Sequence, residues 1–271
     1  MALKCFILSL ESRNRNNNVQ LNVFFTPAEI VASAEQQNDI YIVIDVIRAT
    51  TTLAVIFDQG AARVLVAENV EQAQAAAQKV PGRYLCGERN VQPLPGFDYG
   101  NSPVQFSQLD LSGRELILTT TNGTRAFYAC PAQTTCLAGS FYNAHAVTSH
   151  ALKLAREHNT NISLVCSGEL GYFALDDAVC AGFLALELQR ASEKLTQEAI
   201  LHLDESANAA IALYHAFEPP KVLEYCNSAQ SVFRAGLNDD PYFCMQISKS
   251  ASIPRVVGRE QETGLLVLER T

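Results

Sequence analysis

Between residues 45 and 52 the sequence places a carboxylate (Asp45), a guanidinium (Arg48) and three hydroxyls (Thr50, Thr51, Thr52) directly behind the apolar run Ile42, Val43, Ile44. A strand that ends on such a cluster and runs into a helix exposes free amide N–H groups. Asp45 would then bind a cation or attack an electrophile, while the helix start and Arg48 hold an oxyanion. The structural alternative has Thr50 or Thr51 capping the helix and Asp45 paired with Arg48. A second dense turn, residues 119–125, holds Thr119, Thr120, Thr121, Asn122, Gly123, Thr124 and Arg125. Hydroxyl and amide donors, a glycine free to take positive φ and a closing arginine compose either an anion nest or an ordinary helix entry. The turn is not a P-loop, because the Gly-Lys-Ser/Thr ending is missing.

Other candidates lie in loops and at helix starts. Glu88 and Arg89 precede a Gly- and Pro-rich stretch, residues 93–103, that is long enough to suggest a role. Glu88 offers a hard oxygen ligand for magnesium and Arg89 a grip on a second anionic group, the alternative being a salt-bridged surface excursion. Asn101 and Ser102 in that loop also suit plain turns. Asp176 and Asp177 open a predicted helix, where capping is the ordinary role; near Glu169 they could instead complete a metal site. The five histidines follow no metal spacing, and none is assigned a catalytic role. No cysteine has an arginine six positions on, no acid stands two residues after Asp45, and no GxSxG elbow occurs. Thiolate, haloacid-type and serine-nucleophile phosphatase chemistries are thereby excluded.

These turns need elements to carry them. Short β-rich runs alternate with alanine-rich amphipathic stretches, which predicts an α/β fold, three-layer α/β/α with a largely parallel or mixed sheet. Strands are expected at 4–8, 40–44, 62–66, 83–86, 115–119, 134–138, 162–166, 255–257 and 264–268. Of these, 40–44, 115–119 and 162–166 should lie near the centre. Helices are expected at 50–57, 70–79, 143–157, 175–189 and 206–217, with a last one capped by Asp240 and running to Ile247. Residues 63–73 resemble residues 134–144, and the flanking turns agree, so the chain reads as one domain of two pseudo-repeated halves. These cover approximately 36–110 and 111–190, followed by a C-terminal helical extension and final strands. Every polar turn named above then falls at a strand's C-terminal end, where open α/β sheets bind ligands.

With 271 residues, 48% of them hydrophobic and 18% charged, the chain is long enough for a sizeable core. A formal net charge of −8 argues against nucleic acid or an anionic membrane as partner. The eight cysteines include no CxxC pair, the N-terminus lacks a signal-peptide pattern, and no apolar run is long enough to span a membrane. The expectation is a soluble, cytoplasmic protein with reduced thiols, compatible with a homo-oligomer.

Taken together, residues 45–52, 87–89, 96–103, 121–125 and 139–143, and the Asp176, Asp177 pair followed by Ala181 and Gly182, resemble the 2-phosphosulfolactate phosphatase family of coenzyme M biosynthesis. Asp176 stands where that family more often has a glutamate. The resemblance spans nearly the whole chain. It implies a magnesium-dependent phosphatase that hydrolyses 2-phospho-3-sulfolactate to 3-sulfolactate and inorganic phosphate, a small anionic phosphorylated substrate. It assigns catalysis to Asp45, Arg48 and Arg125, and substrate binding to Thr50, Thr51, Arg89, Asn101, Ser102, Thr121, Asn122, Gly123, Ser140 and Asn143. Mg²⁺ would sit on Asp45 and Glu88, with Glu169 and Asp177 as further ligands. Arg125 is expected to grip the phosphoryl group and Arg89 the carboxylate or sulfonate. Two alternatives stay open: a phosphatase of the same fold for another small phosphorylated acid, and a non-enzymatic sensor of a small organic anion.

Overall fold

The computed structural model describes residues 18–32, 38–194 and 200–271. Its strands are β1 (Asn18–Phe24), β2 (Ile40–Ile44), β3 (Arg63–Val66), β4 (Tyr84–Arg89), β5 (Gln92–Pro93), β6 (Glu115–Thr119), β7 (Thr135–Gly139), β8 (Ile162–Cys166), β9 (Ile200–Leu203), β10 (Pro254–Arg259) and β11 (Leu266–Arg270). They form one mixed sheet in the order β5-β4-β6-β3-β11-β10-β7-β2-β8-β1-β9. β3, β4 and β6 run parallel to one another, as do β7, β2, β8, β1 and β9. The β10–β11 hairpin lies between these groups, antiparallel to β7 on one side and to β3 on the other. The two flanks of the sheet therefore run in opposite directions.

The helices are α1 (Ala28–Ala32), α2 (Ala49–Asp58), α3 (Val70–Lys79), α4 (Pro103–Phe106), α5 (Gly123–Ala129), α6 (Ala144–His158), α7 (Leu175–Lys194), α8 (Glu205–Ala216), α9 (Asn227–Arg234) and α10 (Asp239–Cys244). Successive side chains of a strand point to opposite faces, and this alternation divides the core. Tyr41 and Val43 of β2, Val64 and Val66 of β3, and Leu116 and Leu118 of β6 pack with Leu53, Ile56, Phe106 and Phe127 of α2, α4 and α5. On the opposite face, Ile40, Ile42 and Ile44 meet α6, α7 and α8, while Leu65, Ile117 and Val267 meet α3. The result is the expected three-layer α/β/α arrangement. No helix among the described residues is long and apolar enough to cross a membrane.

Several expectations need correction. The middle of the sheet belongs to β10 and β11, not to β2, β6 and β8, because the C-terminal hairpin supplies the edges that both flanks pair with. The strands of the two expected halves interleave: β2 lies between β7 and β8, and β6 between β3 and β4. β1, β9 and α9 were not expected, and the strand expected at 4–8 lies outside the described residues. The last helix starts at Asp239 and ends at Cys244, with Asn238 at its N-cap. Asp240 does not cap it, because its carboxylate is taken by Arg48 and Ser102.

Candidate active site

β2 delivers Asp45 to the start of α2, and β6 delivers Thr121, Asn122 and Gly123 to the start of α5. Asp45 Oδ1 accepts the Ala49 amide at 3.1 Å, and the Gly123 amide also bonds this carboxylate. The two helix N-termini thus meet on one acid. Only glycine fits opposite it: a Cβ on residue 123 would lie 2.6 Å from Asp45 Oδ2 and 2.6 Å from Ala49 Cβ. Burial, and after it the nearby Glu88 charge, push the Asp45 carboxyl up to about 6 against the pull of these amides and of Arg48.

Glu88, at the end of β4, is fixed in the same way. Its Oε1 accepts the Thr121 amide at 2.7 Å and its Oε2 the Val91 amide at 2.9 Å. Asn90 and Val91 hold positive φ in the tight turn to β5, and the Val91 carbonyl accepts Arg48 Nη2 at 2.9 Å. Arg48 itself follows a cis Ile47–Arg48 peptide bond. Its partner is Asp240 at 2.8 Å, not Asp45. The same Asp240 accepts the Ser102 hydroxyl at 2.6 Å, so α10 anchors both the arginine and the loop before α4.

Asp45, Arg48, Glu88, Asn101, Thr121, Asn122 and Glu169 line one cavity of about 250 Å³, together with Ser228, Ser231 and Arg234 of α9. Two of its polar atoms, Asn101 Oδ1 and Thr121 Oγ1, are buried without a partner. Native interiors rarely tolerate that, and at a cavity wall such atoms can be satisfied by a ligand or a water. A larger cavity of about 890 Å³ beside α6 and α7 gathers no comparable set of facing acids.

The remaining expected site residues lie elsewhere. Thr50 and Thr51 are fully buried, and their hydroxyls bond the Asp45 and Val46 carbonyls. Ser140 and Asn143 close on one another behind β7, with the Asn143 amide nitrogen donating to the Ala138 and Ser252 carbonyls. Ser102 caps α4. Arg89 donates to the Glu88 carbonyl and the Thr119 hydroxyl, and the exposed Arg125 stands near it; neither arginine lines the cavity. Burial and then the Arg125 charge lower the Arg89 pKa.

Asp177 accepts the Val46 amide at 2.9 Å and the Gly168 amide at 3.1 Å, tying the ends of β2 and β8 together. Asp176 accepts the Ser228 hydroxyl at 3.0 Å. Desolvation raises both carboxyls, Asp176 to about 7 and Asp177 well above the usual range. The expected four-acid metal set is therefore divided: Asp45, Glu88 and Glu169 face the cavity, and Asp177 sits behind its wall. Among the described residues no three His, Cys, Asp or Glu side chains are grouped as a metal cluster.

Sequence reasoning missed Asp240 and the α9 residues. The signal for α9 was the apolar spacing of Ala229, Val232 and Phe233, which makes a helix that leaves Ser228, Ser231 and Arg234 off its buried positions.

Residues 24–259 match the family model described as 2-phosphosulpholactate phosphatase. The chain belongs to this family. A probable 2-phosphosulfolactate phosphatase of Deinococcus radiodurans is 38% identical over 222 residues, covering 81% of this chain and 88% of the relative. Its counterpart in Parasynechococcus marenigrum is 36% identical over 252 residues, covering 92% and 99%. The one in Thermus thermophilus is 35% identical over 247 residues, covering 90% and 97%. Membership makes the chain a phosphoric monoester hydrolase, and the matched segment contains every residue of the cavity wall.

Proposed function

We propose that the protein hydrolyses 2-phospho-3-sulfolactate to 3-sulfolactate and inorganic phosphate, with Mg²⁺ held by Asp45 and Glu88. The observation that carries this reading is the meeting of those two carboxylates with the unpartnered Asn101 Oδ1 and Thr121 Oγ1 on one small cavity. The names of the relatives supply the substrate, and a step in coenzyme M biosynthesis belongs to the same reading. Mg²⁺ commonly takes only one or two protein carboxylates and leaves its other positions to water and substrate phosphate, so this donor set fits it. When bound, the metal would neutralise phosphoryl oxygens and lower the pKa of a bound water.

The chain's own residues supply the rest. Amides at two helix starts and one tight turn hold Asp45 and Glu88, and each carboxylate oxygen keeps a further lone pair for the cavity. Asn122 accepts the Leu170 amide through Oδ1, which leaves its Nδ2 hydrogens for a phosphoryl oxygen. Thr121 offers its hydroxyl beside it. Arg48, fixed by Asp240, lends positive charge to the wall without swinging into the site. Water is the nucleophile in this reading, because no second acid stands two residues after Asp45 as an aspartyl-phosphate route of the haloacid type requires.

The test is phosphate release from 2-phosphosulfolactate with Mg²⁺ and with excess chelator. Chelation should abolish release, and Asp45→Asn should lower turnover by orders of magnitude while the circular dichroism spectrum stays native. Near-normal turnover and metal affinity in that variant would overturn the assignment.

A further inference from the structure

The cavity walls differ in charge. Asp45, Glu88 and Glu169 come from the strand ends, and Ser228, Ser231 and Arg234 from α9 in the C-terminal third. Of the two arginines on the wall, Arg48 is already committed to Asp240 and the Val91 carbonyl. Arg234 is exposed, and its Nη2 donates to Ser231 Oγ at 3.0 Å. That bond orients the guanidinium and leaves the Ser231 hydroxyl proton free. One arginine N–H and one serine O–H can then converge on a single anionic group, a charge-assisted pair stronger than neutral hydrogen bonds.

We propose that Arg234 and Ser231 form the subsite for the sulfonate of the substrate and set specificity for it; this rests on the substrate reading above. The chemistry of a 2-phospho-3-sulfo acid decides which anion goes there. Its carboxylate sits on the carbon that carries the phosphate ester, one bond closer to it than the sulfonate. The sulfonate, one carbon farther out, is the group that reaches the α9 wall. Ser228 takes no part in this contact, because its hydroxyl proton is given to Asp176.

The experiment compares kcat/KM of the full-length wild type, Arg234→Ala, Arg234→Lys and Ser231→Ala on three compounds: 2-phosphosulfolactate, 2-phospholactate without the sulfonate, and 2-phosphomalate with a carboxylate in its place. Loss of a hydrogen bond to a charged group corresponds to about 10–100-fold. Arg234→Ala should therefore lose about that much more on 2-phosphosulfolactate than on 2-phospholactate. The loss should appear mainly in KM, with Arg234→Lys recovering part of it and Ser231→Ala falling between. Equal loss on 2-phosphosulfolactate and 2-phospholactate would overturn the subsite, as would a larger loss on 2-phosphomalate than on the sulfonate. If wild-type enzyme releases phosphate from none of the three, the substrate reading fails instead, and binding of 3-sulfolactate by calorimetry to wild type and Arg234→Ala still tests the subsite. Equal affinities there would reject it.

Discussion

Gly123 shows how closely the Asp45 carboxylate is fitted. Its missing side chain makes room for the Asp45 carboxylate, and any Cβ would collide with Asp45 Oδ2 and the first residue of α2 at once. Neither neighbour can yield cheaply, since the Asp45 side chain is held by the Ala49 amide and Ala49 is itself buried at the start of α2. Gly123→Ala is expected to displace Asp45 by a few tenths of an ångström to an ångström and to cost about 100-fold in kcat/KM, with weaker metal binding. Steady-state kinetics and a magnesium titration check this, and wild-type values in both would remove Asp45 from its assigned place. At this scale the sequence was legible where chemistry and backbone coincide: Asp45, Glu88, Thr121 and Asn122 lie at strand ends, and strand ends can be recognised from a run of apolar residues. The arginines were less so. Residue type says that Arg89 and Arg125 can grip anions, but not that one bonds the Glu88 carbonyl and the other stays exposed off the cavity. Direction depends on neighbours that lie far away in the chain.

Helix starts do two different jobs in this protein. Those of α2 and α5 bring amides to the Asp45 carboxylate on the cavity wall, whereas α7 carries Asp176 and Asp177 inward into a buried position. Such acids weaken the fold when ionised. With Asp176 raised to about 7 by desolvation, the native state keeps a proton that the unfolded chain releases near 3.8. Stability from this group is therefore greatest below about pH 4, declines as pH rises and is at its lowest above about pH 7. Asp45, raised to about 6, and Asp177 act in the same sense. Urea unfolding of the metal-free protein between pH 4.5 and 7.5 should show this decline, and Asp176→Asn should flatten it while keeping the Ser228 contact. A variant with the wild-type slope would show that Asp176 does not hold the proton. The pair reads naturally from sequence as a dipole-favoured helix start. The structure instead uses Asp177 to join the ends of β2 and β8, a role no local pattern announces.

On the scale of the whole molecule, the hairpin of β10 and β11 joins two groups of strands that otherwise share no sheet edge. Short β-rich runs located both of its strands, but such runs give no sheet order. The likeness between residues 63–73 and 134–144 suggests two halves, and pairing interleaves their strands, β2 with β7 and β8, and β6 with β3 and β4. Glu260, just past β10, adds ion pairs to Arg63 and Arg83 of the β3–β4 flank. A chain ending at residue 253 should therefore lack cooperative urea unfolding and near-ultraviolet signal. Native-like behaviour of that fragment would mean the flanks hold each other without the hairpin.

The same strand order sets a timetable for synthesis. Most neighbours in this sheet are distant in sequence, a topology whose folding is slow because long loops must close before contacts reward them. β2 leaves the ribosome early, yet neither of its partners, β7 and β8, exists until residues 135–166 have been translated. The seam between the flanks closes only after residue 254 has emerged from the exit tunnel. Until then the nascent chain carries apolar strands with open edges, and whatever chaperones shield them must do so until the hairpin has emerged.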